Sequence, residues 1–208
     1  MQGKLIYIEG GEGSGKSTQR DRLGDMFTKE GHRVHLAHEP GGGLGEPIRK
    51  MLFLPELEAL SLKRRRLAEK HLFLADRVVH AEKLEELLKS GCIVLSDRGP
   101  WSTVVYQGYA QGIDIDSLIR ENAEAMEGVR EDLVIVLDGD PAKLKKRLEN
   151  RGEGNRFDKK SINFHRSVRT GFQILARKNN WPVVDALAGD ETKITVQLRE
   201  IIRERLKF

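Results

Sequence analysis

Residues 10 to 17 read GGEGSGKS and follow the apolar run Leu5, Ile6, Tyr7, Ile8 without a break. A strand that runs into a glycine-rich turn closing on Gly15-Lys16-Ser17 and opening a helix is a P-loop in its proper setting. Each residue type has a physical reason. The glycines let backbone N–H groups turn inward on phosphate oxygens, and the helix that follows presents its positive end to them. Lys16 adds a charge at the β- and γ-phosphates, and Ser17 offers a hydroxyl to Mg²⁺. The pattern arises by chance in a chain of this length with odds on the order of one in a hundred.

The rest of the chain is consistent with one P-loop domain over residues 1–208. Apolar runs recur near 4–9, 33–38, 93–97, 132–138 and 182–185, and helix-period segments lie between them, at 15–30, 45–54, 61–89, 102–110, 114–126, 141–149, 159–179 and 190–206. Strands alternating with helices predict an α/β fold of three layers, a five-stranded parallel sheet flanked by helices. The segment 147–158, RLENRGEGNRFD, interrupts that pattern with glycine and charge and reads as a short lid. With 36 Lys and Arg against 32 Asp and Glu, the net charge of +4 suits an anionic ligand. The basic residues are scattered among acids, which argues against nucleic acid as a partner. A single cysteine, Cys92, and the lack of a long apolar stretch predict a soluble, cytoplasmic protein without disulfides or a membrane partner.

Ligands of open α/β sheets bind beyond the carboxyl ends of the strands. Strand two ends in His38-Glu39-Pro40 and three glycines, followed by Arg49, and strand three ends in Asp97-Arg98. An acid in that position can hold Mg²⁺ through its waters, and the arginine can clamp a phosphate. Asp138 is a second candidate acid, ranked lower because Asp140-Pro141 beside it also serves as a helix start. Arg147, Arg151 and Arg156 fall in or beside the lid, where arginines on a closing loop can neutralise a phosphoryl group in flight. Phe73, Arg77 and His80 share one helix face, an arrangement that can stack on a nucleobase and bond its edge.

Taken in order, IEGGEGSGKSTQ at 8–19, HEPGGGLGEPIR at 38–49, FLADR at 73–77, DRGPWSTVVYQG at 97–108, DLVIVLDGDP at 132–141, and NRFD with FHRSVRTGF at 155–172 resemble the thymidylate kinase family. The resemblance implies phosphorylation of dTMP by ATP with Mg²⁺, in a homodimer. It implies that Gly10, Gly11, Glu12, Gly13, Ser14, Gly15, Lys16, Ser17 and Thr18 hold ATP, and that Ser17 and Asp97 serve the metal. On the acceptor side it implies Glu12 facing the sugar, Glu39 and Pro40 at the pocket, Phe73 stacked on the base and Arg77 on its edge. Gln107 with Ser102 or Thr103 closes that pocket, and Arg49 and Arg98 hold the monophosphate. The catalytic set is then Lys16, Asp97, Arg98 and a lid arginine, Arg151 or Arg156, because Gly13 stands where one subgroup carries an arginine in the loop itself.

Three positions depart from the family pattern: Gly99 in place of an aromatic, His38 in place of an arginine, and Gly43 in place of a threonine. Trp101 is expected to fill the space left at Gly99. Two rival readings remain at this point, a kinase for another or modified pyrimidine monophosphate and a P-loop regulatory module that binds ATP without an acceptor.

Overall fold

A computed structural model describes residues 2–41, 44–150, 152 and 157–207. Five parallel strands, β1 (Lys4–Gly10), β2 (Val34–His38), β3 (Ile93–Asp97), β4 (Leu133–Asp138) and β5 (Val183–Asp185), form one sheet in the order β2-β3-β1-β4-β5. The strand that feeds the P-loop is therefore central. Ile8 pairs with Asp97 on one side and with Ile135 on the other, so the ends of β1, β3 and β4 lie side by side.

Alternation along the strands sorts the core into two layers. Ile6, Ile8, Ile93, Leu95, Ile135 and Leu137 face one side and pack against Leu23 and Phe27 of α1 (Lys16–Lys29) and Ile194, Leu198 and Ile202 of α9 (Glu191–Leu206). Leu5, Tyr7, Val94 and Val134 face the other side, under Ala81 and Leu84 of α4 (Leu62–Lys89) and Met126 of α6 (Ile115–Met126). On that side α8 (Ile162–Asn179) adds Val168, Phe172 and Leu175 against Val136. Near-continuous apolar runs are what a parallel sheet covered on both faces requires.

Two helical expectations change in detail. The stretch expected as one helix over 45–54 is α2 (Gly45–Leu52) followed by the separate turn α3 (Pro55–Glu58), with Pro55 starting the second. The stretch expected as a helix over 102–110 begins earlier, as α5 (Pro100–Thr103), and continues as a π-helical segment, Val104–Tyr109. A wider turn of this kind shifts side chains around the helix axis. The remaining helix, α7 (Pro141–Glu149), starts as Asp140-Pro141 implies, with the Asp140 carboxylate accepting from the N–H groups of Ala142 and Lys143. The middle of the lid expected over 147–158, residues 151 and 153–156 with Arg151 and Arg156 among them, lies outside the described residues, as do Gly42 and Gly43.

Candidate active site

Helices α6 to α9 each begin with an Asp or Ser side chain accepting from the first turn, whereas α1 begins at Gly15 with no side-chain cap. The N–H groups of that turn are left for an anion. Lys16 folds back, donating from Nζ to the Gly11 carbonyl at 2.8 Å, and Ser14 Oγ donates to the same oxygen at 2.9 Å. Burial, then the nearby Arg98, pull the Lys16 amine below its usual range. Gly13 has φ 76°, and a Cβ there would lie 2.7 Å from the Leu144 carbonyl oxygen, so the loop leaves no room for a side chain at this position.

Beside the loop, Ser17 Oγ donates to Asp97 Oδ2. The other oxygen, Asp97 Oδ1, is buried and accepts no hydrogen bond among the described residues. Burial raises the Asp97 pKa, but Lys16 and Arg98 outweigh it and keep the group below the ordinary carboxylate range. An ionised, half-satisfied carboxylate next to a serine hydroxyl suits a hard cation shared with phosphate oxygens. Among the described residues, no three His, Cys, Asp or Glu side chains converge as a cage for such an ion.

The ten residues expected on the acceptor side, Glu12, Glu39, Pro40, Arg49, Phe73, Arg77, Arg98, Ser102, Thr103 and Gln107, line one cleft of about 300 Å³. Leu52, Phe53, Gly99, Tyr106 and Phe157 complete it. Arg98 Nη2 donates to Glu12 Oε2 at 2.5 Å, Nη1 reaches Ser102 Oγ at 3.3 Å, and the guanidinium lies 5.0 Å from the centre of the Tyr106 ring. Burial raises the Glu12 pKa, while Arg98 and Lys16 more than offset it and hold the carboxylate ionised. Arg49 is on the exposed rim, where Nε donates to the Pro40 carbonyl at 3.0 Å.

Arg77 sits deepest, at 2% exposure. Its Nε donates to Glu39 Oε2 at 3.0 Å, Nη2 to the same oxygen and to Thr103 Oγ1 at 3.1 Å, and Nη1 to Asn122 Oδ1. His80 Nδ1 lies 3.4 Å from Glu39 Oε1. Four of the five guanidinium N–H donors are thus taken by the described residues, and one, on Nη1, remains for a ligand in the cleft.

Two residues that shape this site were not singled out from the sequence. Asn122 fixes the Arg77 plane. Glu9, fully buried, accepts from Gly99 N at 3.0 Å, Ser102 N at 3.1 Å and Ser102 Oγ at 2.6 Å. The expectation for Trp101 is corrected. A Cβ at Gly99 would lie 2.5 Å from the Tyr7 ring, so Tyr7 occupies that space, while Trp101 turns away to donate from Nε1 to Glu131 at 2.8 Å and to meet the Trp181 ring. Asp138 also has another task, since Arg169 grips both its oxygens at 2.8 Å.

Burial raises the Glu9 pKa to about 7, with the Ser102 hydroxyl and Arg98 only partly offsetting it. The unfolded chain would ionise near the ordinary value of 4.5. Glu9 therefore favours the folded state fully below pH 4.5, and that contribution is lost as pH rises to about 7. Glu9→Gln is expected to have a melting temperature that gains on the wild type between these two pH values and by a constant margin above, as thermal scans across the range will show.

A family model described as Thymidylate kinase matches residues 8–196. A protein of Carboxydothermus hydrogenoformans described as thymidylate kinase is 40% identical over 187 residues, covering 89% of this chain and 90% of that protein. One from Trichodesmium erythraeum, described in the same way, is 36% identical over 222 residues, covering 99% and 97%. The crystal structure of thymidylate kinase from Ehrlichia chaffeensis superposes with a TM-score of 0.74 at 27% identity, over 97% of this chain and 100% of that one.

Proposed function

Because this chain belongs to the thymidylate kinase family, we propose that it transfers the γ-phosphoryl group of ATP to dTMP, giving dTDP and ADP. The observation that carries the reading is the second phosphate grip. A P-loop that only bound or hydrolysed ATP would have no use for Arg49, Arg77 and Arg98 around one cleft beside it. In this reading Gly10 to Thr18 hold the donor, and Lys16 leaves the Gly11 carbonyl for the β- and γ-phosphates. Arg98, steadied by Glu12, and Arg49 from the rim hold the acceptor phosphate. Phe73 stacks on the base, the free Nη1–H of Arg77 bonds its edge, and Gln107 with Thr103 borders it.

The acceptor phosphate is already an anion near neutral pH, so the reaction needs alignment and charge neutralisation more than a general base. Asp97 and Ser17 would hold Mg²⁺, which supplies positive charge at the donor phosphates. The orphaned Asp97 Oδ1 supports that assignment. A lid arginine, Arg151 or Arg156, completes the charge on the transferred group, since the loop has no room for one at Gly13. We place the enzyme in the cytoplasm. Among the described residues no helix is long and apolar enough to cross a membrane. We assign it a homodimer, supported by the exposed apolar side chains Leu67, Val78 and Val79 on α4.

The test is ADP release with dTMP, dUMP, UMP, CMP or AMP as acceptor. The highest kcat/KM is expected for dTMP. Equal rates with ribo- and deoxynucleotides would favour a broader monophosphate kinase.

A further inference from the structure

Arg98 is a non-glycine residue with φ 71°, a left-handed conformation that is strained for a residue with a side chain and persists only where its surroundings enforce it. The enforcing contacts come from β1 and from β3, the strand that Arg98 itself follows. The Arg98 N–H donates to the Ile8 carbonyl at 3.1 Å, and the Arg98 carbonyl accepts from Ser96 Oγ at 2.8 Å. Immediately after it, the Gly99 N–H donates to Glu9, which also accepts the Ser102 N–H and hydroxyl. Tyr7 and Glu9 lie two residues apart on β1 and so project from the same face of the sheet. Both are wholly buried. The Tyr7 ring presses on the backbone of Gly99 so closely that a Cβ there would meet ring atoms at 2.5 Å.

We propose that Tyr7 and Glu9 are positioning residues for acceptor binding: together they clamp the Gly99–Ser102 turn and so hold Arg98 in the strained conformation that points its guanidinium at the cleft. The inference rests on the reading of Arg98 as an acceptor-phosphate ligand given above. Tyr7 fixes the turn by shape, leaving residue 99 no side chain, and Glu9 fixes it by three hydrogen bonds. Through Ser102 the hold extends to Arg98 itself, because Ser102 Oγ donates to Glu9 Oε2 and accepts from Arg98 Nη1. Neither Tyr7 nor Glu9 lines the cleft, so both act through the turn. The hydrogen bonds of the Glu9 carboxylate all go to the Gly99–Ser102 turn and none to the P-loop, so its loss falls first on the acceptor side.

The test compares Glu9→Ala, Glu9→Gln, Gly99→Ala, Gly99→Ala with Tyr7→Val, and Arg98→Ala, reading KM for dTMP, KM for ATP, kcat and the melting temperature of each. Glu9→Ala is expected to raise KM for dTMP about tenfold or more with KM for ATP within twofold. Glu9→Gln, which keeps an oxygen for the two backbone N–H groups, should recover part of that loss. Gly99→Ala should raise KM for dTMP about fivefold, and Tyr7→Val in the same chain should restore it by clearing the ring. Should the Glu9 variants not fold, the Gly99 and Tyr7 pair decides the matter. An unchanged KM for dTMP in both Glu9→Ala and Gly99→Ala, or an equal rise in both Michaelis constants, would overturn the proposal. Arg98→Ala separates this failure from that of the premise: if it leaves KM for dTMP unchanged, Arg98 is not an acceptor ligand at all.

Discussion

Lys16→Ala is expected to lower turnover by at least about 10²–10³-fold while leaving the melting temperature within a few degrees of the wild type. The magnitude follows from what a preorganised charge contributes when negative charge moves between two phosphates in a site shielded from water. The small structural effect follows from the contacts. Among the described residues, the Lys16 amine makes one hydrogen bond, to the Gly11 carbonyl, in a position where burial and Arg98 already disfavour its charge. Removing it leaves one carbonyl oxygen without that donor, and the relieved repulsion from Arg98 offsets the lost attraction to Asp97 and Glu12. Steady-state kinetics with a thermal scan will check both halves. Near-normal turnover in a folded variant would take the P-loop out of the mechanism.

Glu39→Ala is expected to be the most damaging single change to stability. Glu39 and Arg77 form an ion pair at 6% and 2% exposure, and Arg77 gives two of its four hydrogen bonds to Glu39. Taking away the carboxylate leaves a guanidinium in the interior with its main partner gone, a loss of about 3–5 kcal/mol. In a chain of this size that corresponds to a fall in melting temperature of roughly 6–20 °C. Burial alone would raise the Glu39 pKa, yet Arg77 and its hydrogen bonds hold the group below the ordinary value of 4.5. The pair therefore stabilises the fold above pH 4.5 and loses that contribution as pH falls through the lowered value. Glu39→Gln should be milder than Glu39→Ala and should lose that part of the acid sensitivity. Denaturant unfolding of the two variants at pH 7 and pH 4 will show both effects, and a Glu39→Ala variant as stable as the wild type would contradict the paired-burial account.

The parts of this molecule that were legible in the sequence are those with a local cause. The P-loop is contiguous, and Gly13 announces by its identity that no arginine stands in the loop. Strand runs separated by helical periods predict all five strands to within about a residue; β1, β3 and β4 are buried almost throughout and read as near-continuous apolar runs, while the edge strands β2 and β5 are short and partly exposed. Asp140-Pro141 marked a helix start because the cap and the first turn lie next to each other. What was not legible depends on neighbours brought together by the sheet. Trp101 is two residues from Gly99 in the chain, but the ring against Gly99 belongs to Tyr7, whose strand pairs with β3. Glu9 left one usable signal, a carboxylate at the end of an otherwise apolar buried strand, because a charge is rarely enclosed without a specific task. Asn122 left none, being one polar residue on a helix rich in them. The π-helical segment after α5 likewise has no marker in the sequence from 104 to 109, which reads as part of one helix over 102–110.

The most direct measurement follows ADP and dTDP together in one reaction mixture containing the protein, ATP, Mg²⁺ and dTMP, with the same mixture lacking dTMP beside it. A donor grip and an acceptor grip acting in one transfer predict equal amounts of ADP and dTDP at every time, and ADP at background when dTMP is left out. ADP forming at the same rate with and without dTMP, and no dTDP, would contradict the account.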